Sequence, residues 1–194
     1  MRNSLENYLT ESALLTPKEI RDSLSLFETK QLKKNDFFVR TGEVCNYIAF
    51  INKGAVKTFS SNTLGDETIT CFKFENQFMT SYESFMARTL SHKNIQAIEN
   101  CDLQLISYKN FKQLLERIPS WKTLISELLE QEYLEKERYL MHFNNQTAKA
   151  KYIQLLEANP KLISRTKVDD LASYLGVTQR TLTRVKKDIF QEVK

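Results

Sequence analysis

Between residues 27 and 108 the sequence breaks into seven short runs rich in β-branched and aromatic residues: FETKQL, FFVR, YIAFIN, AVKTFS, TITCFKF, NIQAIE and LQLISY. Turn chemistry separates them, at Asn35-Asp36, Thr41-Gly42, Gly54, Gly65-Asp66, Glu75-Asn76 and Asn100 to Asp102. Runs of that length at that spacing predict antiparallel strands folded into a sandwich or jelly-roll barrel, an architecture that often encloses a ligand between its sheets. SYESFMART interrupts the run with a short helix. Ahead of the strands, Thr16-Pro17-Lys18-Glu19 is a helix start: Thr caps, Pro suits the first helical position, and Glu reaches back to close the capping box.

After Tyr108 the pattern turns helical. FKQLLERI is a short helix ended near Pro119, and from Ser120 to Phe143 no Gly or Pro stops a second one. A helix of about 24 residues reaches about 36 Å, longer than a domain this small needs internally. Trp121, Leu124, Ile125, Leu128 and Leu129 form a broad apolar stripe, which Tyr133, Leu134, Leu140, Met141 and Phe143 continue past a charged gap at Glu135 to Arg138. The expectation is a helix that links two domains and pairs with a copy of itself through Trp121, Leu124, Ile125 and Leu128. The organisation is then α+β in three parts: a β-domain with its leading helices over residues 1–118, the linker helix over 119–143, and a small domain over 144–194.

That small domain carries the most specific pattern. Residues 166–187 read TKVDDLASYLGVTQRTLTRVKK, two short helices hinged at one glycine. Thr166 is placed to cap the first, with Asp169 at the third helical position, and Val168, Leu171, Ala172 and Leu175 share a face. Gly176 enters the left-handed region that a tight turn demands, and Thr178 caps the second helix. Leu182 and Val185 return that helix onto the first. Left outward are Gln179, Arg180, Thr181, Thr183, Arg184 and Lys187. Arg bonds guanine O6 and N7 together, Gln does the same for adenine, and Thr hydroxyls suit phosphates, so this is the pattern of a DNA-reading helix pair. Arg180 is expected to read a base, Arg184 to have a mixed role, and Thr178 and Thr181 to meet phosphate; Thr166 joins them at the edge of the surface.

Charge agrees with that reading. Residues 144–194 hold ten Lys or Arg against five Asp or Glu, a net of +5, whereas the other 143 residues hold 18 against 19, a net of −1. The cationic excess is local, as expected if the small domain meets a phosphate backbone. No apolar run approaches the roughly 20 residues of a membrane helix, and the first residues, MRNSLENYLTES, lack a signal-peptide core. A cytoplasmic protein is expected. Cys45, Cys71 and Cys101 lie far apart without a CxxC pair and read as reduced thiols, so no metal or cofactor is implied. The two histidines, His92 and His142, assemble with no nucleophile or carboxylate pair into a catalytic set, and an enzyme is not expected.

The order of parts resembles the Crp/Fnr family of bacterial transcription regulators. In the β-domain the resemblance rests on RTGEVCNYIAFINKGAVKTF and LGDETITCFKF, where Gly42, Gly54 and Gly65 match the family's turn glycines and Ile51 an apolar strand position. In the small domain it rests on LASYLGVTQRTLTRVKK. It implies a cyclic-nucleotide-binding-type barrel, a dimerisation helix and a C-terminal winged helix-turn-helix, in a homodimer on double-stranded DNA with RNA polymerase as a further partner. Family recognition residues fall here on Gln179, Arg180 and Arg184. The wing is expected ahead of the recognition helix, as a short hairpin around LISRTK.

Ligand chemistry departs from the pattern. Members that bind cyclic AMP carry a Gly-Glu-Leu helix start and, later, an Arg-Ser or Arg-Thr pair for the cyclic phosphate, but NQFMTSYESFMARTLSHKNIQAIE has no glycine to bring backbone amides onto a phosphate. Glu83 can stand for the ribose-binding carboxylate, yet the phosphate Arg position falls on Ser91, and Arg88 comes three residues early. Cyclic AMP is therefore not expected, and Arg88 reads as a surface residue. Phe72, Phe78 and Phe85, with Glu83, Arg88 and Ser91, are the candidates for lining some other effector pocket. The alternative function is a regulatory module that uses the barrel to bind a small molecule or a protein and never touches DNA.

Overall fold

The computed structural model describes residues 4–62, 65, 67–143 and 146–192. Two helices lead, α1 (Ser4–Glu11) and α2 (Pro17–Leu24). Thr16 caps α2 as expected: its hydroxyl accepts from the Glu19 N–H, and the Glu19 carboxylate accepts from the Thr16 N–H at 2.8 Å, a reciprocal pair worth about 1 kcal/mol to a helix start. Eight strands follow: β1 (Glu28–Leu32), β2 (Phe37–Val39), β3 (Tyr47–Lys53), β4 (Val56–Ser61), β5 (Glu67–Lys73), β6 (Phe78–Met79), β7 (Asn94–Ala97) and β8 (Cys101–Ser107). The expected short helix is α3 (Tyr82–Ala87), between β6 and β7. They form two four-stranded sheets, ordered β1-β8-β3-β6 and β2-β7-β4-β5. Five pairings, β1 with β8, β8 with β3, β3 with β6, β2 with β7 and β7 with β4, are antiparallel.

The seven expected runs became seven strands; β6, only two residues long, had no pattern to betray it. The expected turns hold residues of positive φ: Asn35 at 74°, Asn76 at 64°, and Gly42, Gly54 and Gly65. Gly54 has a second reason. A Cβ built there would stand 2.5 Å from the Asn100 carbonyl oxygen and 2.7 Å from Cys101 Sγ, so β8 passes its backbone with no room for a side chain. The core lies between the sheets, with Ala49, Phe50, Ile51, Leu103 and Leu105 from one and Val39, Val56, Ile95 and Ala97 from the other. Helix α1 closes onto it unforeseen: Leu5 and Leu9 are fully buried, and the Tyr8 ring packs 5.3 Å from Phe50 and 5.6 Å from Phe78.

Then come α4 (Tyr108–Arg117), α5 (Ser120–Phe143), α6 (Ala148–Ala158), α7 (Pro160–Arg165), α8 (Val168–Leu175) and α9 (Gln179–Glu192). Helix α4 starts three residues earlier than expected because the Ser107 hydroxyl accepts from the Asn110 N–H and caps it. Helix α5 has the expected bounds. Two expectations in the small domain need correction. The hairpin around LISRTK is the helix α7: Asn159 caps it, Pro160 occupies its first turn with φ preset for a helix, and no strand forms there. Thr166 does not cap α8. It ends α7, its hydroxyl donating to Leu162 O at 2.6 Å, and Lys167 stands at the α8 N-cap without a side-chain bond.

The chain divides into two compact units, one of Met1–Ser60 with Phe72–Gln131, the other of Ser61–Cys71 with Glu132–Lys194.

Candidate DNA interface

In the second unit, α8 buries Leu171, Ala172 and Leu175, the stripe its spacing dictates. Gly176 ends it with φ 65° and ψ 35°, and the Val177 N–H closes back on Ala172 O at 3.0 Å. Thr178 then starts α9: its Oγ1 accepts from the Thr181 N–H at 3.1 Å, and its carbonyl takes the Leu182 N–H at 3.0 Å. Leu182 and Val185 are buried, at 1% and 6% exposure, which orients the helix with its polar side away from the pair. Lys151 Nζ donates to Leu175 O at 3.3 Å, a cation at the negative end of α8. Lys186 Nζ sits 5.7 Å over the Tyr152 ring, whose hydroxyl burial pushes up in pKa. These two lysines serve the packing of the unit.

The outward set is as expected: Gln179, Arg180, Thr183, Arg184 and Lys187 are all exposed. Arg180, Arg184 and Lys187 follow the i, i+4, i+7 rule and share one stripe. The hydroxyls are more committed. Thr181 is half-buried and lies 2.9 Å from Thr178 Oγ1, and Thr183 Oγ1 donates back to Gln179 O at 2.9 Å. Thr183 keeps acceptor capacity with its proton engaged locally, and in the Thr178–Thr181 pair one hydroxyl donates to the other. Thr166 is half-buried, its proton spent on α7.

In the first unit the candidate effector residues line neither of two cavities found there. Phe85 is fully buried, edge-on to Tyr108 and Phe111 at 5.4 Å each, and Phe78 packs on Tyr8, Phe50 and Trp121. Phe72 is 7% exposed on β5, and Glu83 faces solvent. Cavities of about 210 and 170 Å³ have other linings, Tyr8, Glu11, Leu124 and Glu127 among them in the larger. Arg88 is exposed, the surface residue expected, but its guanidinium is engaged. At the left-handed C-cap of α3 (φ 57°), its guanidinium donates to Cys45 O at 2.9 Å, to Phe85 O at 3.3 Å and to Asn46 Oδ1, and lies 4.6 Å over the Tyr108 ring. Ser91 is 2% exposed: its Oγ donates to Lys93 O at 2.7 Å and lies 2.9 Å from Ser81 Oγ. Ser84 completes the corner, donating to Thr89 O at 2.6 Å and accepting from the Cys45 N–H at 2.9 Å.

Burial corrects the expected dimer seam at two of its four residues, Trp121 and Leu124. Trp121 and Leu124, 2% and 3% exposed, belong to the core of their own unit, the indole N–H donating to Ser23 Oγ at 2.8 Å. Ile125 and Leu128 are half-buried against that core. The exposed apolar side chains of α5 are the next ones along, Leu129 at 39%, Tyr133 at 66% and Leu134 at 41%. Leu140, Met141 and Phe143 have side chains outside those described. Cys45 and Cys101 are buried thiols and Cys71 is partly so, and among the described residues no group of His, Cys, Asp and Glu is arranged to hold a metal. No helix among them is long and apolar enough to cross a membrane.

Residues 29–118 match the cyclic nucleotide-binding domain family. The transcriptional activator protein Anr of Pseudomonas aeruginosa is 23% identical over 168 residues, which cover 80% of this chain and 68% of that protein. FnrA of Stutzerimonas stutzeri, also a transcriptional activator, is 21% identical over the same length and the same shares. The c-di-GMP responsive global regulator CLP of Xanthomonas campestris superposes with a TM-score of 0.75 at 16% identity, over 91% of this chain and 93% of that one. FixK2 from Bradyrhizobium japonicum gives 0.72 at 17% identity, over 86% and 85%. A nucleotide-binding-type double sheet, a long helix after it and a glycine-hinged helix pair give this chain a cyclic nucleotide-binding domain and homology to the Anr and FnrA transcriptional activators, in the fold of Crp/Fnr regulators.

Proposed function

We propose that α9 is the recognition helix of a homodimer that reads an inverted repeat in double-stranded DNA, and that its regulation does not run through cyclic AMP. One observation carries the DNA reading: Gln179, Arg180, Thr183, Arg184 and Lys187 face solvent while Leu182 and Val185 hold the opposite side of the same helix. A helix so oriented enters a major groove about 12 Å wide with donors for base edges and phosphates. Two copies related by a two-fold axis place their half-sites about 34 Å apart. Leu129, Tyr133 and Leu134 are the surface through which α5 meets its copy. RNA polymerase is the partner through which bound protein alters transcription, in the cytoplasm where both meet DNA.

The state of Arg88 supports independence from cyclic AMP. A guanidinium donating to two carbonyls and an amide oxygen is tied to the α3 corner, and swinging it toward a phosphate elsewhere breaks those three bonds. The test is selection of DNA fragments by the purified protein, followed by affinity measurements on the selected repeat. Arg180→Ala is expected to cost about 1 to 3 kcal/mol and to relax preference at one position in each half-site. Unchanged affinity across an operator library at fixed salt refutes the assignment. Calorimetry is expected to show no micromolar binding of cyclic AMP.

A further inference from the structure

Helix α8 carries one polar group that the reading of DNA leaves unexplained. Ser173 stands off the buried stripe of Leu171, Ala172 and Leu175, and its hydroxyl is engaged twice by β5. Oγ donates to Glu67 O at 2.8 Å and accepts from the Ile69 N–H at 3.1 Å. Residues 67 and 69 alternate along the strand, so their backbone groups lie on one edge. That edge is an outer one, because β5 ends the order β2-β7-β4-β5. A strand edge presents an N–H and a C=O in register, and a serine hydroxyl, donor and acceptor at once, answers both as a neighbouring strand would. An alanine answers neither.

We propose that Ser173 is a positioning residue: it fixes the helix pair to the outer half of β5, and in the dimer it thereby fixes the spacing at which the two α9 helices meet DNA. The proposal rests on the DNA reading put forward above. The physical link is short. Residues 61–71 and 132–194 form one compact unit, so the outer half of β5 belongs with α8 and α9. A helix pair held to β5 by a two-way hydrogen bond has its orientation set by the strand, and a pair without that bond is free to turn about its remaining contacts. Orientation of each reading head is what sets half-site separation in a two-fold complex.

The test uses the full-length protein and a series of duplexes carrying the selected half-site as an inverted repeat, with one base pair added to or removed from the centre. Wild-type protein is expected to prefer one spacing by about tenfold or more, the size of effect that two net hydrogen bonds can supply. Ser173→Ala should bind the best spacing within about threefold of wild type and lose most of its preference among spacings. Ser173→Thr keeps the hydroxyl and should restore the preference. Alanine has the higher helix propensity and Ser173 is only partly buried, so the variant is expected to fold. A DNA-free readout comes from hydrogen exchange: the Ile69 amide should exchange faster in Ser173→Ala, by about tenfold. A spacing profile that stays at the wild-type shape in Ser173→Ala, or an Ile69 amide that does not speed up, overturns the positioning role while leaving DNA reading intact. A wild-type protein that selects no repeat overturns the DNA reading, and the positioning role falls with it.

Discussion

The corner around α3 and the face of α9 are built from similar side chains, Arg with hydroxyl residues, yet they dispose of them in opposite ways. At α3, Arg88 turns its guanidinium back onto Cys45 O and Phe85 O, Ser81 and Ser91 hydrogen-bond each other, and Ser84 and Ser91 hydrogen-bond nearby backbone. On α9, Arg180 and Arg184 face solvent, because Leu182 and Val185 anchor the opposite face of the helix. The difference lies in the backbone beneath. A left-handed residue at a helix end can turn its side chain back onto carbonyls the helix has left over, whereas a long side chain on the outer face of a regular helix is carried away from the backbone. A cation is therefore structural in the first setting and available to a ligand in the second.

The largest break in that contrast is expected along α5, where inward and outward apolar residues follow within two turns. Leu124→Glu buries a carboxylate at a position 3% exposed and should unfold the first unit, at a cost of about 3 to 5 kcal/mol. Leu129→Glu combined with Tyr133→Glu charges exposed positions one turn apart and should give monomers whose secondary structure is intact. Sedimentation with circular dichroism separates the two outcomes. Dimers that survive the outer pair would move the seam elsewhere.

The glycines sharpen the same contrast at smaller scale. Gly54 and Gly176 both have positive φ, 99° and 65°, but only at Gly54 would a Cβ meet backbone, 2.5 Å from Asn100 O. Gly54→Ala should cost about 3 kcal/mol or more, strain and clash together. Gly176→Ala has nothing within 4 Å and should cost about 1 kcal/mol, the strain alone. Thermal melts that rank them in the reverse order would show that the turn of the helix pair is the tighter of the two.

Arg88→Ala comes next. Loss of a charged donor to two carbonyls and of its stack on Tyr108 should lower stability by about 1 to 3 kcal/mol. DNA affinity per folded dimer should stay at the wild-type value, the reverse of the outcome at Arg180. A loss of DNA affinity with an unchanged melting temperature would place Arg88 in a signalling role.

How much of this was legible depended on whether a signal was periodic or pairwise. Alternating runs with turn residues between them gave the seven longer strands, and the spacing of Leu171, Ala172, Leu175, Gly176, Leu182 and Val185 gave the helix pair with its outward set. Pairwise facts were not legible. Nothing in LISRTK says helix until Asn159 and Pro160 are seen as its start. Trp121 and Leu124 stand on the same stripe as Leu129, and only the fold decides which of them lies under the barrel. Helix α1 did leave a trace in Leu5, Tyr8 and Leu9, a single turn of amphipathic spacing too short to stand alone. The β5 bond of Ser173 spans more than a hundred residues and has no local pattern whatever.

The smallest expected effect concerns pH and tests whether the first unit is also tied together by a polar group at its surface. Glu19 accepts from the Thr16 N–H and hydroxyl through one carboxylate oxygen and from the Ser120 hydroxyl, at 3.0 Å, through the other. It thereby links the start of α2 to the start of α5. The Thr16 backbone bond above all, then the Thr16 and Ser120 hydroxyls, hold its carboxyl below the ordinary value of 4.5. A carboxyl with a depressed folded value stabilises the fold above its ordinary pKa, and the contribution fades as pH falls through the depressed one. Glu19→Gln removes the titration while keeping one acceptor oxygen, so its melting temperature should lie slightly below wild type at neutral pH and converge with it in acid. The group is exposed, and salt should shrink the small gap further. A difference that stayed constant from neutral pH into acid would mean that the charge of Glu19 contributes nothing and that the amide oxygen alone explains the link.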